Sequence, residues 1–214
     1  MLAPENEESV KPGVNDSFLA EDLDVQEFID RFEGESREIA VERDALLETI
    51  AIEPGMDVAD VGAGTGLFLD LLAKAVGDDG RVYAIDISPG FLEHLDRRVE
   101  AEGYPQVETV LCSDRSVELP PRSVDRVFIC DVYHHFEYPR STMASIVNAM
   151  RPGAELVLVD FERIPGVTRE WLLEHVRAGK ETFRAEIEES GLQFVEEIDV
   201  DGLAENYVLR FRRP

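Results

Sequence analysis

A glycine-rich turn is the feature of this chain whose residue types point most directly to ligand binding. The apolar run Asp57–Val61 leads into Gly62-Ala63-Gly64-Thr65-Gly66. Because glycine has no Cβ, such a turn can be tight, and a ligand can lie against its bare backbone. The first amide groups of a following helix favour an anionic ligand group. The candidate ligand contacts of this turn are Asp60, Gly62, Gly64, Thr65 and Gly66.

The spacing of the glycines indicates what kind of ligand fits. A turn that binds the pyrophosphate of a dinucleotide has the spacing G-x-G-x-x-G/A. Here Gly66 comes one residue early, and Leu67 stands where a small residue is expected. The spacing therefore suits a ligand with a carboxylate better than one with a pyrophosphate. A plain strand-to-helix turn is the alternative that the glycines alone leave open.

A carboxylate at the end of the second apolar run, Arg81–Asp86, is predicted to reach the same turn. A carboxylate at a strand end can accept charge-assisted hydrogen bonds from both hydroxyls of a ribose, which is the role predicted for Asp86. Its alternative role is to cap the next helix, but Ser88, directly before Pro89, suits that position. Ile87 is predicted to pack on the face of the base.

Polar residues that follow the third apolar run, Val107–Leu111, are predicted to lie at the same crevice. Asp114 is predicted to accept a hydrogen bond from an adenine amino group, with Ser113 in support. The alternative is an ordinary solvated loop.

A group of titratable residues follows the fourth apolar run, Val124–Cys130. Its members are Asp131, Tyr133, His134 and His135. Ligands bind where the order of parallel strands reverses, which places this segment opposite the glycine turn. A histidine with a pKa near ~6.5 suits the removal of a proton from a hydroxyl or ammonium group. His134, His135 and Asp131 are therefore the candidate catalytic residues, and histidines that only pack in the loop are the alternative.

The same group raises the question of a metal. His134 and His135 could converge with three further residues, Asp160, Glu162 and His175. Adjacent histidines usually point apart, and no spacing such as H-E-x-x-H is present, so we expect no metal. Arg37 and Arg43 are candidates to reach a ligand carboxylate. The candidate substrate contacts are Tyr133, His134, Glu162, His175, Arg177 and Tyr207, and each is otherwise a surface or packing residue.

The elements that must position these residues alternate regularly along the chain. Strands separated by helices of 10–15 residues imply a parallel, doubly wound α/β sheet. The last two strands have only a short connection, so they should pair antiparallel. The predicted strands are Asp57–Val61, Arg81–Asp86, Val107–Leu111, Val124–Cys130, Ala154–Phe161, Phe194–Val200 and Tyr207–Arg212. Three parts are predicted: residues 1–22 as a flexible acidic arm, 23–52 as N-terminal helices that form a lid, and 53–214 as the ligand-binding domain.

Composition excludes several classes of partner. The chain has 214 residues, enough for one sizeable domain, and 46 acids against 21 bases give a formal net charge of −25. Such a surface disfavours nucleic acid and anionic membranes. No apolar run could span a membrane, and the N-terminus does not look like a secretory signal. Cys112 and Cys130 are predicted to be reduced thiols in a cytoplasmic protein, monomer or homodimer, with a disulfide as the alternative.

The order of these motifs resembles class I S-adenosylmethionine-dependent methyltransferases over about residues 50–212. The residues that carry the resemblance are Asp60-Val-Gly-Ala-Gly-Thr-Gly66, Asp86, Ser113-Asp114, Asp131 and Met150-Arg-Pro-Gly153. The segment Phe128–Phe136 is most similar to the small-molecule group that includes the quinone-biosynthesis enzymes. Residues 62–75 also resemble protein-isoaspartate methyltransferases a little.

The resemblance implies a fold and a set of ligand contacts. It implies a Rossmann-like, seven-stranded sheet in the order 3-2-1-4-5-7-6, with strand seven antiparallel. It further implies that Gly62 and Gly64 hold the methionine part of S-adenosylmethionine, and that Asp131 lies near the methionine amino group and the acceptor. The expected function is methyl transfer to a small molecule by direct displacement, releasing S-adenosylhomocysteine. The alternatives are a protein-isoaspartate-type enzyme, a nucleoside-binding module without catalysis, and an NAD-dependent dehydrogenase.

Overall fold

Seven strands form one sheet in the computed structural model, which describes residues 6–34 and 37–214. The strands are β1 Asp57–Val61, β2 Arg81–Asp86, β3 Val107–Leu111, β4 Val124–Cys130, β5 Met150–Phe161, β6 Gln193–Ile198 and β7 Asn206–Arg212. Their spatial order is β3-β2-β1-β4-β5-β7-β6, as the resemblance implied. β1 pairs in parallel with β2 and β4, and β7 is antiparallel to both β5 and β6. The predicted fold class is therefore confirmed.

Helices connect the strands and cover both faces of the sheet. The helices are α1 Val25–Phe32, α2 Glu38–Val41, α3 Arg43–Ile50, α4 Leu69–Val76, α5 Pro89–Glu102, α6 Pro139–Ala149, α7 Glu170–His175 and α8 Lys180–Glu189. A 3-10 turn, Tyr133–His135, follows β4.

Two helix predictions need correction. The sequence pattern predicts a helix that begins near Gly66, but α4 starts at Leu69, because Gly66 has a φ of +87° that an α-helix does not allow. The pattern also predicts a single helix over residues 35–50, but the structure has two helices there, α2 and α3, with Glu42 between them. Its expected first residue, Glu35, lies outside the described residues.

The core lies in two apolar layers, one on each face of the sheet. Along β1, Val58 packs into one layer with α3 and α4, while Ala59 packs into the other with α6 and α8. Successive strand residues point to opposite faces, so a strand that is covered on both sides must be apolar nearly throughout. This requirement explains the continuous apolar runs of β4 and β5.

The N-terminal segment, residues 6–22, lies against the domain. Glu7 accepts hydrogen bonds at 2.8 Å from the backbone amides of both Arg140 and Ser141, in the first turn of α6. Asn15 donates from Nδ2 to the carbonyl of His135 at 3.1 Å. Flexibility of this arm, and the lid role of residues 23–52, remain predictions.

Both cysteines are free, as expected. Among residues 6–34 and 37–214, no helix combines the length and the apolar character needed to cross a bilayer.

We expect Glu7→Ala to lower the free energy of unfolding by ~0.5–2 kcal/mol, the usual effect of losing a side-chain cap at a helix N-terminus. The Tyr138 side chain provides no cap for α6, so Glu7 is its side-chain cap. Urea unfolding measures the change. The matched control is Glu8→Ala at an exposed neighbouring site. Equal stability of the two variants would contradict this capping role.

Candidate functional site

A cavity of about 420 Å³ lies at the carboxyl ends of β1, β2 and β4. Its size falls within the roughly 300–1,000 Å³ of small-molecule sites. It occupies the point where the strand order reverses between β1 and β4, which is where parallel sheets bind ligands. The predicted contacts that line it are Asp60, Gly62, Gly64, Thr65, Asp86, Ile87, Ser113, Asp114, Asp131, His134, His135 and His175.

The glycine turn forms one wall of the cavity with its backbone. Gly62 has a φ of +79°, and a Cβ there would come within 2.5 Å of both methyl carbons of Val132. Gly64 also has a positive φ, +54°. Gly66 does not line the cavity, because it lies against α5, where a Cβ would meet Leu95 Cδ2 at 2.7 Å. The first two glycines therefore shape the cavity, whereas the third allows the turn to pack on the helix.

Asp86 links the glycine turn to the start of α5. Its Oδ2 accepts a hydrogen bond from the backbone amide of Gly64 at 2.8 Å, and its Oδ1 accepts one from Ser88 at 2.8 Å. Ser88 itself caps α5, since its hydroxyl accepts from the Phe91 amide at 3.4 Å. The Asp86 side chain also faces the cavity, so it positions the turn and remains able to bind a ligand.

Four carboxylates, three of them buried and that of Asp131 largely so, lie next to one another at the carboxyl edge of the sheet. Asp60, Asp86 and Asp160 belong to β1, β2 and β5, and Asp131 directly follows β4. Burial raises the pKa of Asp86 to about 6 and the pKa values of the other three to about 7. The Asp86 charge also raises the pKa of Asp60. A cationic ligand group among these carboxylates would favour their charged forms, so the site is suited to bind a cation.

Asp131 is held by two residues from distant parts of the chain. Its backbone has a φ of +55°, in the left-handed region that few residues other than glycine adopt. Its Oδ2 forms an ion pair with Arg37, and its Oδ1 accepts from Asn206 Nδ2 at 2.5 Å. Arg37 is thus used to hold an acid of the protein itself. No motif or spacing in the sequence indicated that Asn206 would contact Asp131.

The segment after β3 forms the far wall. Ser113 and Asp114 line the cavity, and the Asp114 carbonyl accepts a hydrogen bond from Thr142 Oγ1 at 3.1 Å. Opposite them, the hydroxyl of Thr65 is buried and has no hydrogen-bond partner among the described residues. This hydroxyl is free to bond a ligand that enters between the two walls.

Three histidines converge at the other end of the cavity. The ring centroids of His134 and His135 are 4.3 Å apart, and each lies 5.0 Å from the centroid of His175. The expectation that the adjacent histidines point apart is therefore wrong. His134 bonds Asp160 through its ring Nδ1 at 2.8 Å, whereas Glu162 lies apart and pairs with Lys180 at 2.7 Å.

The three imidazoles are neutral at physiological pH. Burial, together with the nearby Lys11 and Arg177 charges, lowers the pKa of His134 to about 3. Burial and neighbouring imidazoles bring the pKa of His135 to about 2 and that of His175 to about 4. Such low pKa values make His134 and His135 weak proton acceptors, which disfavours either as a catalytic base. That role stays a prediction.

Four predicted substrate contacts lie outside the cavity lining. Tyr133 and Tyr207 are buried in the apolar core, and Tyr133 packs on Phe136 and Phe183. Arg177 forms two hydrogen bonds with Glu186, at 2.8 and 2.6 Å, and Glu162 pairs with Lys180 as described. These side chains follow cavity-forming segments in sequence, but packing and ion pairs within the protein direct them elsewhere.

An aromatic cluster that sequence reasoning missed lies at the cavity, which Phe18, Phe32 and Phe91 line. Phe18 lies 5.4 Å from Phe28 and 6.1 Å from Phe91 between ring centroids, and Phe28 lies 5.4 Å from Phe32. Phe18 also contacts His135, at 5.2 Å. The available signal was the apolar pair Phe18-Leu19 within an acidic arm.

Comparison with known proteins agrees with this geometry. Residues 59–158 match the family model described as a methyltransferase domain. The chain is 28% identical over 114 residues to the ubiquinone/menaquinone biosynthesis C-methyltransferase UbiE of Bordetella parapertussis, covering 53% of this chain and 44% of that protein. It is 31% identical over 116 residues to the protein-L-isoaspartate O-methyltransferase of Aeropyrum pernix, covering 53% and 42%. The chain thus spans less than half the length of these relatives.

A similar solved structure extends the match to most of the fold. A SAM-dependent methyltransferase from Aquifex aeolicus superposes with a TM-score of 0.77 at 23% identity, covering 88% of this chain and 98% of that one.

We expect Asp60→Asn to reduce the pH dependence of stability in the ligand-free protein. The Asp60 pKa is about 7 in the folded state against an ordinary value of 3.8, so folding favours its protonated form. The stability gained by that protonation is lost as pH rises through this window. Between about pH 5 and about pH 8, urea unfolding should show a decline on the order of 1–3 kcal/mol smaller in the variant than in the wild type.

The matched control for this measurement is Asp79→Asn, at an exposed turn. Its stability should change with pH as the wild type does. Parallel pH curves for the wild type and Asp60→Asn would show that the Asp60 pKa is not raised.

Proposed function

We propose that this chain carries a methyltransferase domain of the class I S-adenosylmethionine-dependent superfamily, and that it transfers a methyl group from S-adenosylmethionine to a small-molecule acceptor. The observation that carries the proposal is the arrangement of buried carboxylates around a bare glycine turn. A sulfonium donor that also has an α-ammonium group carries two positive charges, which this arrangement complements.

The residues of the cavity fit the successive parts of this donor. Asp86 would accept the ribose hydroxyls, and Ser113 and Asp114 would contact the adenine, with Ile87 against its face. The backbone of the glycine turn and the unpartnered Thr65 hydroxyl would bond the methionine carboxylate.

The remaining carboxylates would contact the cationic part of the donor. Asp60 and Asp131 face the cavity between the glycine turn and the histidines. When bound, S-adenosylmethionine supplies a methyl group on a positively charged sulfur. The order of these contacts would direct this sulfur toward the histidines.

The protein would assist the transfer by alignment and by exclusion of water. Direct displacement from a sulfonium has a neutral leaving group, so orientation of donor and acceptor can supply much of the barrier reduction. Phe18, Phe32 and Phe91 line the cavity with apolar surface, and Asn15 joins the segment that carries Phe18 to the carbonyl of His135. These contacts support partial exclusion of water from the site.

The volume and the lining of the cavity favour a small acceptor. Its histidine end is bordered by Phe161, Trp171 and His175, which contact one another through their rings. A compact acceptor fits such a volume, whereas a polypeptide needs an open groove that leads to the methyl group.

A second candidate function is protein-isoaspartate methylation, because the Aeropyrum pernix relative is named for that activity. The two functions are distinguished by supplying labelled S-adenosylmethionine with isoaspartyl peptides or with a panel of small hydroxyl, amine and carbon acceptors. Methylation confined to peptides would replace the proposed acceptor class. Failure of the protein to bind either S-adenosylmethionine or S-adenosylhomocysteine would overturn the function as a whole.

We expect Asp86→Ala to weaken the binding of S-adenosylhomocysteine by ~1.5–3 kcal/mol, about 10- to 150-fold, the magnitude of a hydrogen bond to a charged group. Isothermal calorimetry measures the affinity. Because Asp86 also bonds Gly64 and Ser88, the variant's circular dichroism must match that of the wild type.

Ser88→Ala is the control for this measurement, since it removes the cap of α5 and leaves the carboxylate in place. It should bind nearly as tightly as the wild type. An unchanged affinity in folded Asp86→Ala would refute the ribose contact.

A further inference from the structure

Three of the four histidines in the chain meet at one point of the fold, although they come from two separate segments. His134 and His135 lie in the 3-10 turn after β4, and His175 ends α7. One ring nitrogen from each can be chosen so that all three atoms lie within 4.8 Å of one another. Such convergence of imidazoles is typical of transition-metal sites.

We propose that His134, His135 and His175 bind one divalent transition-metal ion of the zinc class. Tetrahedral Zn–N bonds of ~2.0–2.1 Å would place the centroids of coordinated imidazoles about 5 Å apart. The observed centroid separations are 4.3, 5.0 and 5.0 Å, with interplanar angles of 44°, 73° and 64°. The rings are therefore close to the spacing that a single ion requires, and they are not stacked on one another.

The ring nitrogens of two histidines are available in the way a metal site needs. His134 uses Nδ1 to bond Asp160 at 2.8 Å, which leaves its Nε2 free. A carboxylate behind a ligating histidine is the usual second partner that fixes the ring's orientation in metal sites. His135 Nδ1 is buried and has no hydrogen-bond partner within the described part of the chain. A buried nitrogen without a partner is costly unless it binds something.

The backbone around the histidines is also held in place. Lys11 donates from its ammonium group to the main-chain carbonyls of Glu174 and His175, at the end of α7. Asn15 bonds the carbonyl of His135 at 3.1 Å. The N-terminal segment thus joins the two histidine-bearing segments to each other.

The choice of ligands restricts the ion. Imidazole nitrogen suits zinc, cobalt, nickel, copper and iron, whereas magnesium and calcium require oxygen ligands. Three protein ligands leave a fourth position open, which is the pattern of reactive rather than structural zinc sites. All three histidines line the cavity, so that position faces its interior. There it would take a water molecule or, if the proposed function holds, a heteroatom of the methyl acceptor.

Cobalt(II) titration of the chelator-treated, full-length protein tests the site. We expect one equivalent to bind and to produce the intense visible d–d bands of a four- or five-coordinate ion, which surface carboxylates do not give. Zinc should then displace the cobalt and abolish the bands. Absence of these bands, or binding without a one-to-one end point, overturns the proposal.

Variants identify the ligands. His135→Ala and His175→Ala should each abolish the bands. Asp160→Asn should weaken cobalt binding by roughly 10- to 100-fold, as does the loss of a hydrogen-bond partner that orients a ligating histidine. The matched control is His94→Ala, which removes the fourth histidine, in α5 and outside the cavity lining. It should bind cobalt as the wild type does. Wild-type bands in both His135→Ala and His175→Ala overturn the assignment.

Parallel calorimetry with S-adenosylhomocysteine separates this inference from the proposed function. Retained binding of S-adenosylhomocysteine by His175→Ala, together with loss of the cobalt bands, supports a metal site distinct from the nucleoside contacts. If the wild type binds cobalt at the histidines and does not bind S-adenosylhomocysteine, the metal site stands and the proposed function fails. If it binds S-adenosylhomocysteine and gives no cobalt bands, the metal site fails alone.

Discussion

Burial of carboxylates at the carboxyl ends of four neighbouring strands is the constraint on which the rest of the site depends. An ionised carboxylate without water is costly unless the protein or a ligand compensates it. Backbone amides compensate Asp86, Arg37 and Asn206 compensate Asp131, and a histidine ring contacts Asp160. The raised pKa values show that the compensation is incomplete. A cationic ligand would complete the compensation. The burial that makes these ionised carboxylates costly therefore also favours the binding of cations at this edge of the sheet.

The same burial gives the two ends of the cavity different chemistry. Around the glycine turn, the cavity is lined by the Asp86 carboxylate, bare backbone and aromatic rings. At the other end, burial keeps three imidazoles neutral, and neutral imidazole is the form that binds metal ions or accepts a proton. The N-terminal segment contacts Phe91 through Phe18, and it contacts the carbonyl of His135 through Asn15. One segment of the chain thereby packs against both the aromatic cluster and the histidine group.

Sequence reasoning succeeded where the signal is local. The bounds of β1 to β4 follow from short apolar runs between turn residues, and the cavity-lining roles of Gly62, Gly64 and Asp86 follow from their places at strand ends. It failed where distant contacts decide. Arg177 turns to Glu186, and Tyr133 enters the core, because those partners lie in α8 and are not visible in a linear pattern. The strand order itself came from resemblance to a family and not from periodicity.

The amino-acid sequence by itself determined the layered α/β architecture, the glycine turn and the row of strand-end acids, since backbone freedom and the period of apolar residues are properties of neighbouring positions. Only the tertiary structure decided which acids and bases meet. Arg37 and Asn206, from opposite ends of the chain, converge on Asp131, and His175 reaches the pair after β4. Such encounters depend on how α2, α7 and β7 pack on the sheet, and packing is set by the summed contacts of the whole core.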